Sequence, residues 1–207
     1  MNKNKTKIFQ YLNDNLPIIG IHGFTIDNMS KEIKMSKRTI YKTFPNKKIL
    51  LKTYLFEYIE KFTIPVNKIS ISDIPPLEKF TKIIFTFAQS LLPFIEQYSK
   101  DIKMLYPDIW QDVEKIRQGK LVYFEQMYKD LWKAGLTNKN ISPEHFAFIF
   151  KQFISAIIQP EVLFNNKISF RDIILTFSRV VFQGALNNKS QKEFEQILKN
   201  LEKLEGF

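Results

Sequence analysis

The sequence predicts an all-α protein of two domains, because helical signals follow one another along almost the whole chain. Apolar residues recur three and four positions apart instead of alternating, Val is sparse, and Gly occurs 6 times in 207 residues. A stretch rich in Pro and Ser at 63–76 indicates the domain boundary. We therefore expect a first domain at 1–50, a bridging helix to about residue 62, and a larger helical bundle at 63–207.

Four helices are expected before the boundary. The first spans 3–16, and Pro17 and Gly20 supply its stop signals. Its apolar stripe consists of Ile8, Leu12 and Leu16. Each of the next three helices follows a residue type that favours the N-cap position. These N-caps are Thr25, Ser36 and Asn46.

Five longer helices, rich in aromatic residues, are expected after the boundary. The same apolar spacing and the same start and stop signals define them. They span Leu77 to Tyr98 with a kink at Pro93, Asp108 to Ala134, Pro143 to Gln159, Phe170 to Leu186, and Gln191 to Glu205.

The net charge of +10 is concentrated near the N-terminus. Residues 1–62 contain 12 Lys and Arg against 5 Asp and Glu, a net charge of +7. Such asymmetry indicates an anionic polymer or surface as the partner of the first domain. A solvated basic face would carry the same charge, so charge alone leaves both interpretations open.

Residues suited to catalysis or metal binding are missing from the sequence. There is no Cys, which excludes disulfides and thiolate sites. His22 and His145 are the only histidines and lie far apart, while Asp108, Asp112 and Glu114 are typical of a solvated helix face. Serine-hydrolase, phosphate-loop and zinc-protease motifs are also missing. We expect no enzyme activity, no metal and no cofactor.

The chain also lacks the signals of a membrane or secreted protein. No apolar run reaches the roughly 18 residues of a membrane span. The basic N-terminus leads into an amphipathic pattern instead of the apolar core of a signal peptide. We expect a cytoplasmic protein without a membrane partner.

Two of the expected helices begin with cations, which is the unfavourable end for them. Lys37 and Arg38 follow Ser36, and Lys47 and Lys48 follow Asn46. A helix N-terminus carries roughly +0.5 of an elementary charge, so Lys and Arg are locally unfavourable there. Their presence at two helix starts therefore suggests that these starts bind an anion. Exposed backbone N–H groups beside these side chains would suit DNA phosphates.

The segment 25–44 has the layout of a helix-turn-helix. A short helix ends near Ile33, Lys34 and Met35 form a turn, and Ser36 begins a second helix. In this motif the second helix enters the DNA major groove with its N-terminal residues. Arg can bond guanine in a two-pronged manner, while Tyr and Lys can hold phosphates.

Four segments of the first domain carry a family resemblance. They are Gly23 to Thr25, Ile26 to Met29, Met35 to Tyr41, and Phe44 to Lys47. Their order resembles the DNA-binding domain of TetR-type (tetracycline-repressor-like) transcriptional regulators over about residues 5–55. Beyond it, the chain length, the helical character and the segment from Tyr106 to Trp110 agree with the family. Two positions depart from the pattern, with Ser30 in place of the usual Ala and Lys34 in place of the usual Gly.

The resemblance implies roles for individual residues of the first domain. The residues implied to hold the DNA backbone are Thr25, Tyr41 and Lys47. The residues implied to face the groove are Lys37, Arg38, Thr39 and Lys42, with Ser36 at the start of their helix. Double-stranded DNA with a palindromic operator is the implied partner, and members of this family are usually homodimeric repressors.

For the second domain the resemblance implies a small-molecule effector and a dimer interface. Aromatic residues favour an apolar or aromatic effector, although packing alone would also explain them. The expected lining residues are Phe87, Leu91, Trp110, Tyr123, Phe124, Met127 and Phe153. We expect a homodimer, because two recognition helices about 34 Å apart can read a palindrome that a monomer cannot. The resemblance implies that its interface lies on the helices at about 145–159 and 170–186, although burial within one subunit would also explain their apolar residues.

Three other interpretations stay open. The first domain could consist of ordinary helices with solvated charges. The chain could be a helical interaction adaptor of the same fold that has lost specific DNA binding. It could also be a basic protein that lies on membrane surfaces through its N-terminal helix.

Overall fold

The computed structural model describes residues 3–157, 159, 162 and 170–204. Helices account for nearly all of these residues. In chain order they are α1 (Lys3–Gly23), α2 (Ile26–Glu32), α3 (Lys37–Thr43), α4 (Lys47–Ser70), α5 (Pro76–Phe94), a π-helical segment (Ile95–Ser99), α6 (Lys100–Leu105), α7 (Pro107–Lys133), α8 (Pro143–Ile157), α9 (Phe170–Ala185) and α10 (Asn188–Leu204). The predicted all-α fold is confirmed.

The three predicted N-caps are confirmed by hydrogen bonds. The side-chain oxygens of Thr25, Ser36 and Asn46 each accept from the backbone N–H three residues later, at 3.2, 3.1 and 2.8 Å. Each bond satisfies one N–H group that the first helical turn leaves without a partner. These local bonds fix where α2, α3 and α4 begin.

The chain divides into two compact units. The first contains Met1–Lys61 and Phe94–Glu114, and the second contains Phe62–Pro93 and Lys115–Phe207. The first unit thus includes α6 and the start of α7, which the sequence assigns to the second domain. Its fully buried side chains include the predicted stripe of α1. Seven of them, all between residues 8 and 40, are Ile8, Leu12, Leu16, Ile21, Phe24, Met29 and Ile40.

Aromatic rings form the core of the second unit. The Tyr128 ring stacks on Phe146 with centroids 3.8 Å apart, and Phe150 lies 4.8 Å from Phe124. Phe182 of α9 meets Phe80 of α5 edge-on at 4.8 Å. Helices α5, α7, α8 and α9 therefore share one apolar core, and packing accounts for many of the aromatic residues noted in the sequence.

Two predicted helix ends are wrong, both at proline. Helix α1 continues through Pro17, but its helical conformation is interrupted at Gly20 (φ 67°, ψ 171°), the other predicted stop signal, before a short last stretch that ends at Gly23. Helix α4 continues through Pro65 to Ser70, so the expected loop at 63–76 is helical over its first half. A proline inside a helix loses one backbone hydrogen bond, and burial of Ile21 and Val66 beyond the two prolines offsets this loss.

The segment that follows α5 also differs from the prediction. The irregularity expected at Pro93 takes the form of the π-helical segment Ile95–Ser99. Helix α6, at Lys100–Leu105, was not predicted because six residues are too few for a periodic signal. Helices α7, α8, α9 and α10 each begin within three residues of the predicted start. Within the described part of the chain, every helix is too short or too polar to cross a lipid bilayer.

Candidate nucleic-acid interface

The turn between α2 and α3 is closed without glycine. Lys34 adopts a left-handed conformation with φ 49°. The Lys34 N–H donates to Lys31 O at 3.2 Å, and the Met35 N–H donates to Ser30 O at 3.0 Å. This pair of bonds is a Schellman motif, which normally places Gly at the left-handed position. Ser30 and Lys34, the two departures from the family pattern, therefore belong to one structural unit.

Helix α3 separates an inward apolar side from an outward polar side. Ile40 and Phe44 are buried against the first unit. The exposed residues of this segment are Lys37, Arg38, Tyr41 and Lys42. Residues 37, 38, 41 and 42 are separated by spacings of one, three and four positions, so they lie on one continuous face of the helix. This face contains four of the residues predicted to contact DNA.

The other predicted residues of the helix starts have structural partners. Ser36 caps α3, and its hydroxyl also lies 2.9 Å from the Thr39 hydroxyl. Thr25 caps α2 with its hydroxyl oxygen. The Thr25 hydroxyl can still donate a proton to an acceptor outside the protein, because a cap uses the oxygen as an acceptor.

Lys37 forms an ion pair across the two helix starts. Its ammonium lies 2.7 Å from the Asp27 carboxylate in the first turn of α2, and both side chains are about half exposed. The sequence indicated Lys37 as a DNA contact but did not reveal that Asp27 is its partner. The signal that could have revealed the pair is the short α2–turn–α3 geometry, which brings both first turns together.

Lys47 has a structural role that the sequence did not predict. Its ammonium donates to Phe24 O and, at 3.4 Å, to Ile21 O, and it lies 5.3 Å from the centre of the Phe24 ring. Burial lowers the pKa of Lys47. The side chain is half-buried and binds backbone carbonyls where α1 ends. Lys47 thus fastens α4 to the α1–α2 connection.

The neighbouring cations of α4 pair with the start of α7. Lys48 lies 2.8 Å from Asp108, and Lys52 lies 2.7 Å from Asp112. A hydrogen bond from Lys48 lowers the pKa of Asp108. The two carboxylates were expected on a solvated helix face, and they instead form partly exposed ion pairs within the first unit. Because the two partners of each pair lie some sixty residues apart in the sequence, local sequence patterns do not reveal these ion pairs.

The expected effector-lining residues are divided between different environments. Trp110 is buried in the first unit. In the second unit Phe124 is buried, Phe153 stacks on Phe177 at 3.5 Å, and Tyr123 is 46% exposed. Met127 is half-buried beside Phe124 on α7. Phe87 and Leu91 belong to α5, and their side chains lie outside the described part of the structure.

An open groove of about 280 Å³ lies between α7 and α8. Its apolar lining includes Leu121, Val122, Ala147 and Phe148. None of the residues expected to line an effector pocket contributes to it. The predicted lining thus remains a prediction.

Metal chemistry finds no support in the described residues. No group of three or more His, Asp or Glu side chains suited to a metal ion occurs in the parts of the chain that the structure describes. His22 and His145 are both exposed, in different units.

The fold can be compared with solved structures, whereas no family model and no curated protein matches the sequence. A transcriptional regulator from Cytophaga hutchinsonii is similar with a TM-score of 0.73 and 11% identity, over 90% of this chain and 100% of that chain. A TetR/AcrR-family regulator from Thermobifida fusca is similar with a TM-score of 0.65 and 14% identity, over 88% and 98%.

Two similar structures belong to regulators with named metabolic roles. The ketosteroid regulator KstR2 of Mycobacterium tuberculosis has a TM-score of 0.59 and 9% identity, over 91% of this chain and 97% of that chain. The fatty acid degradation regulator FadR of Bacillus halodurans has a TM-score of 0.64 and 12% identity, over 89% and 97%. With its helix-turn-helix at Ile26–Thr43, this chain has the fold of the TetR-family transcriptional regulators.

Proposed function

We propose that the chain is a ligand-responsive, DNA-binding transcriptional regulator, a homodimeric repressor that leaves its palindromic operator when a small molecule binds. Residues 1–50 act as the DNA-binding domain and residues 63–207 as the regulatory and dimerisation domain. The protein acts in the cytoplasm, without catalysis and without a cofactor. The fold shared with TetR-family regulators supports this assignment.

The observation that carries the proposal is the exposed face of α3. Lys37, Arg38, Tyr41 and Lys42 project away from the core that Ile40 helps to form. Two of these side chains, Arg38 and Lys42, make no ion pair with any described residue. An exposed face of cationic and aromatic side chains on the second helix of a helix-turn-helix is suited to binding the major groove and its flanking phosphates.

Dimerisation would use the outer faces of α8 and α9. Ile149 on α8 is 58% exposed and Val180 on α9 is 68% exposed. Four phenylalanines of the same two helices are instead buried within the second unit, namely Phe146, Phe150, Phe177 and Phe182. Large apolar side chains left in water on two adjacent helices favour burial against a second copy.

The effector would be apolar or aromatic and would bind in the second unit. Aromatic side chains dominate the core there, with few polar groups. KstR2 is a ketosteroid transcriptional regulator and FadR a fatty acid degradation regulator, which supports an apolar compound of this kind. A useful switch needs a few kcal/mol of differential affinity between the DNA-bound and released states.

Selection from a random duplex library tests DNA binding directly. The wild-type chain is expected to enrich a palindrome whose half-sites lie about one helical turn apart. Ile149→Glu combined with Val180→Glu is expected to give a monomer that loses this enrichment, as sedimentation would show. Absence of any enriched sequence with the folded wild-type protein would rule out the proposal.

An effector can be sought by thermal unfolding with fatty acids, acyl thioesters and ketosteroids. A ligand present at 100 times its Kd should stabilise the protein by about 2.7 kcal/mol. The same ligand should release the selected operator. A compound that stabilises the protein without affecting the operator complex would contradict the repressor mechanism.

The alternative is a helical interaction adaptor that has lost specific DNA binding. Pairing of Lys37 with Asp27 and of Lys48 with Asp108 favours it, because two cations of the helix starts are already neutralised within the protein. An adaptor would bind selected and random duplexes equally.

A further inference from the structure

The ion pair between Asp27 and Lys37 lies at the centre of the proposed DNA contact. The carboxylate and ammonium are 2.7 Å apart, with side chains 60% and 53% exposed. Asp27 and Glu32 are the two acidic residues between 25 and 48. The Glu32 carboxylate interacts with Tyr11: burial raises the pKa of this phenol, and the charge of Glu32 and its hydrogen bond with Tyr11 raise the pKa further. Asp27 is therefore the acidic residue of this segment that pairs with a cation of α3.

The physical roles of the two charges on DNA are opposite. A free lysine ammonium attracts phosphates of any sequence and releases a counterion when it binds one. A carboxylate beside it competes for the same ammonium and repels phosphates. Since the pair is exposed, its own strength is small. It can therefore redirect Lys37 without preventing α3 from binding DNA.

The geometry of the ammonium explains how the pair could favour a particular sequence. A lysine ammonium has three donors, so Lys37 can keep one bond to Asp27 and offer the others to guanine O6 and N7 in the groove. A phosphate bound to the same ammonium would instead bring a second anion close to the Asp27 carboxylate, and the two anions would repel each other. Holding the side chain in one place also reduces the entropy that it loses at the base edge.

We propose that Asp27 is a specificity-determining residue, which holds Lys37 for base contacts and lowers binding to DNA of unrelated sequence. This inference rests on the proposed DNA-binding function. Asp27 itself is a positioning residue in this account, because it acts through Lys37.

Asp27→Asn is the decisive variant, because asparagine keeps the size and tolerates the first turn of a helix. On random duplex, binding should tighten roughly threefold, as expected for release of an exposed ion pair. The slope of log K against log salt should steepen by about 0.9, the value for one additional phosphate contact. Affinity for the selected operator should change less, so the ratio of operator to random binding should fall.

Two further variants distinguish the effect of breaking the Asp27–Lys37 ion pair from the effect of a change in net charge. Asp73→Asn makes the same charge change in the exposed loop after α4 and should leave the slope unchanged. Lys37→Gln added to Asp27→Asn should restore the wild-type slope, because the freed cation is removed. Circular dichroism confirms that each variant is folded.

The results distinguish this inference from the function on which it rests. A wild-type protein that selects no operator would overturn both. A wild-type protein that selects an operator, with Asp27→Asn showing an unchanged slope and an unchanged operator-to-random ratio, would overturn the inference alone. Equal tightening by Asp27→Asn and Asp73→Asn would do so too, since it would reduce the effect to net charge.

Discussion

Ser30 and Met35 exchange two hydrogen bonds across the turn of the helix-turn-helix. Besides the bond from the Met35 N–H, the Ser30 hydroxyl donates to Met35 O at 2.8 Å. The left-handed Lys34 lies between them. A left-handed conformation costs a residue with a side chain roughly 1–2 kcal/mol, and the hydroxyl bond contributes about 0.5–1.5 kcal/mol in the opposite direction. The serine thus compensates for the missing glycine.

This compensation predicts opposite effects for two substitutions. Ser30→Ala should lower the free energy of unfolding by about 1 kcal/mol through loss of the hydroxyl bond. Lys34→Gly should raise it by about 0.5–1 kcal/mol by removing the left-handed strain. Denaturant unfolding of both single variants and the double variant measures these effects. Destabilisation by Lys34→Gly would show that the lysine side chain, and not the hydroxyl of Ser30, supports the turn.

Lys47→Ala should affect both stability and DNA binding. The Phe24 and Ile21 carbonyls would lose a charged donor, which should cost about 1–3 kcal/mol of unfolding free energy. Binding to all DNA sequences should weaken as α4 loosens. Lys48→Ala is the matched control, since it breaks only the exposed pair with Asp108 and should cost less than about 1 kcal/mol. A Lys47→Ala protein as stable as the wild type would contradict the fastening role.

Arg38→Ala should change the base preference at one operator position. Loss of a two-pronged contact to guanine costs about 1–3 kcal/mol of discrimination. Arg38→Lys keeps the positive charge but loses the planar guanidinium with its two parallel donors. It should therefore retain its affinity for random duplex and still lose the base preference. Competition binding with single-base operator variants provides the measurement. An unchanged preference in both variants would remove Arg38 from direct recognition.

Alkaline pH should destabilise the protein partly through Tyr54. Its hydroxyl bonds Asn13 at 3.0 Å, and burial raises its pKa to about 12. A phenol whose pKa is higher in the folded state stabilises the protein below about pH 10, and this contribution is lost as pH rises towards 12.

The unfolding free energy should therefore decline between pH 10 and 12, and less steeply in Tyr54→Phe. Tyr123→Phe, which alters an exposed ring, is the matched control. Chemical unfolding at several pH values decides the matter. Identical pH dependence of the wild type and Tyr54→Phe would argue against a buried Tyr54 phenol.

Local chemistry made much of the first domain predictable. The caps Thr25, Ser36 and Asn46 depend on side-chain oxygens three residues from the N–H groups that they accept, so the sequence alone locates them. The exposed face of α3 follows in the same way from helical periodicity. These are the parts of the site on which the proposed function depends.

What could not be predicted depends on partners distant in the chain. The inward turn of Lys47 requires the carbonyls of a segment more than twenty residues earlier. Continuation of α4 past Pro65 requires burial of Val66, which no local signal reveals. Inclusion of α6 in the first unit likewise requires contacts with α1.

The contact between α6 and α1 has a consequence for how sequences of this kind can vary. Asp101 Oδ2 accepts the backbone N–H of His22 at 3.0 Å, and a Cβ on Gly20 would lie 3.2 Å from the same oxygen. The Asp101 carboxylate binds the backbone N–H of residue 22 and not its side chain. This bond therefore excludes only proline from position 22, because proline has no backbone N–H. Position 20, with φ 67°, favours glycine, and any other residue there would be strained and would also displace the Asp101 carboxylate by a few tenths of an ångström.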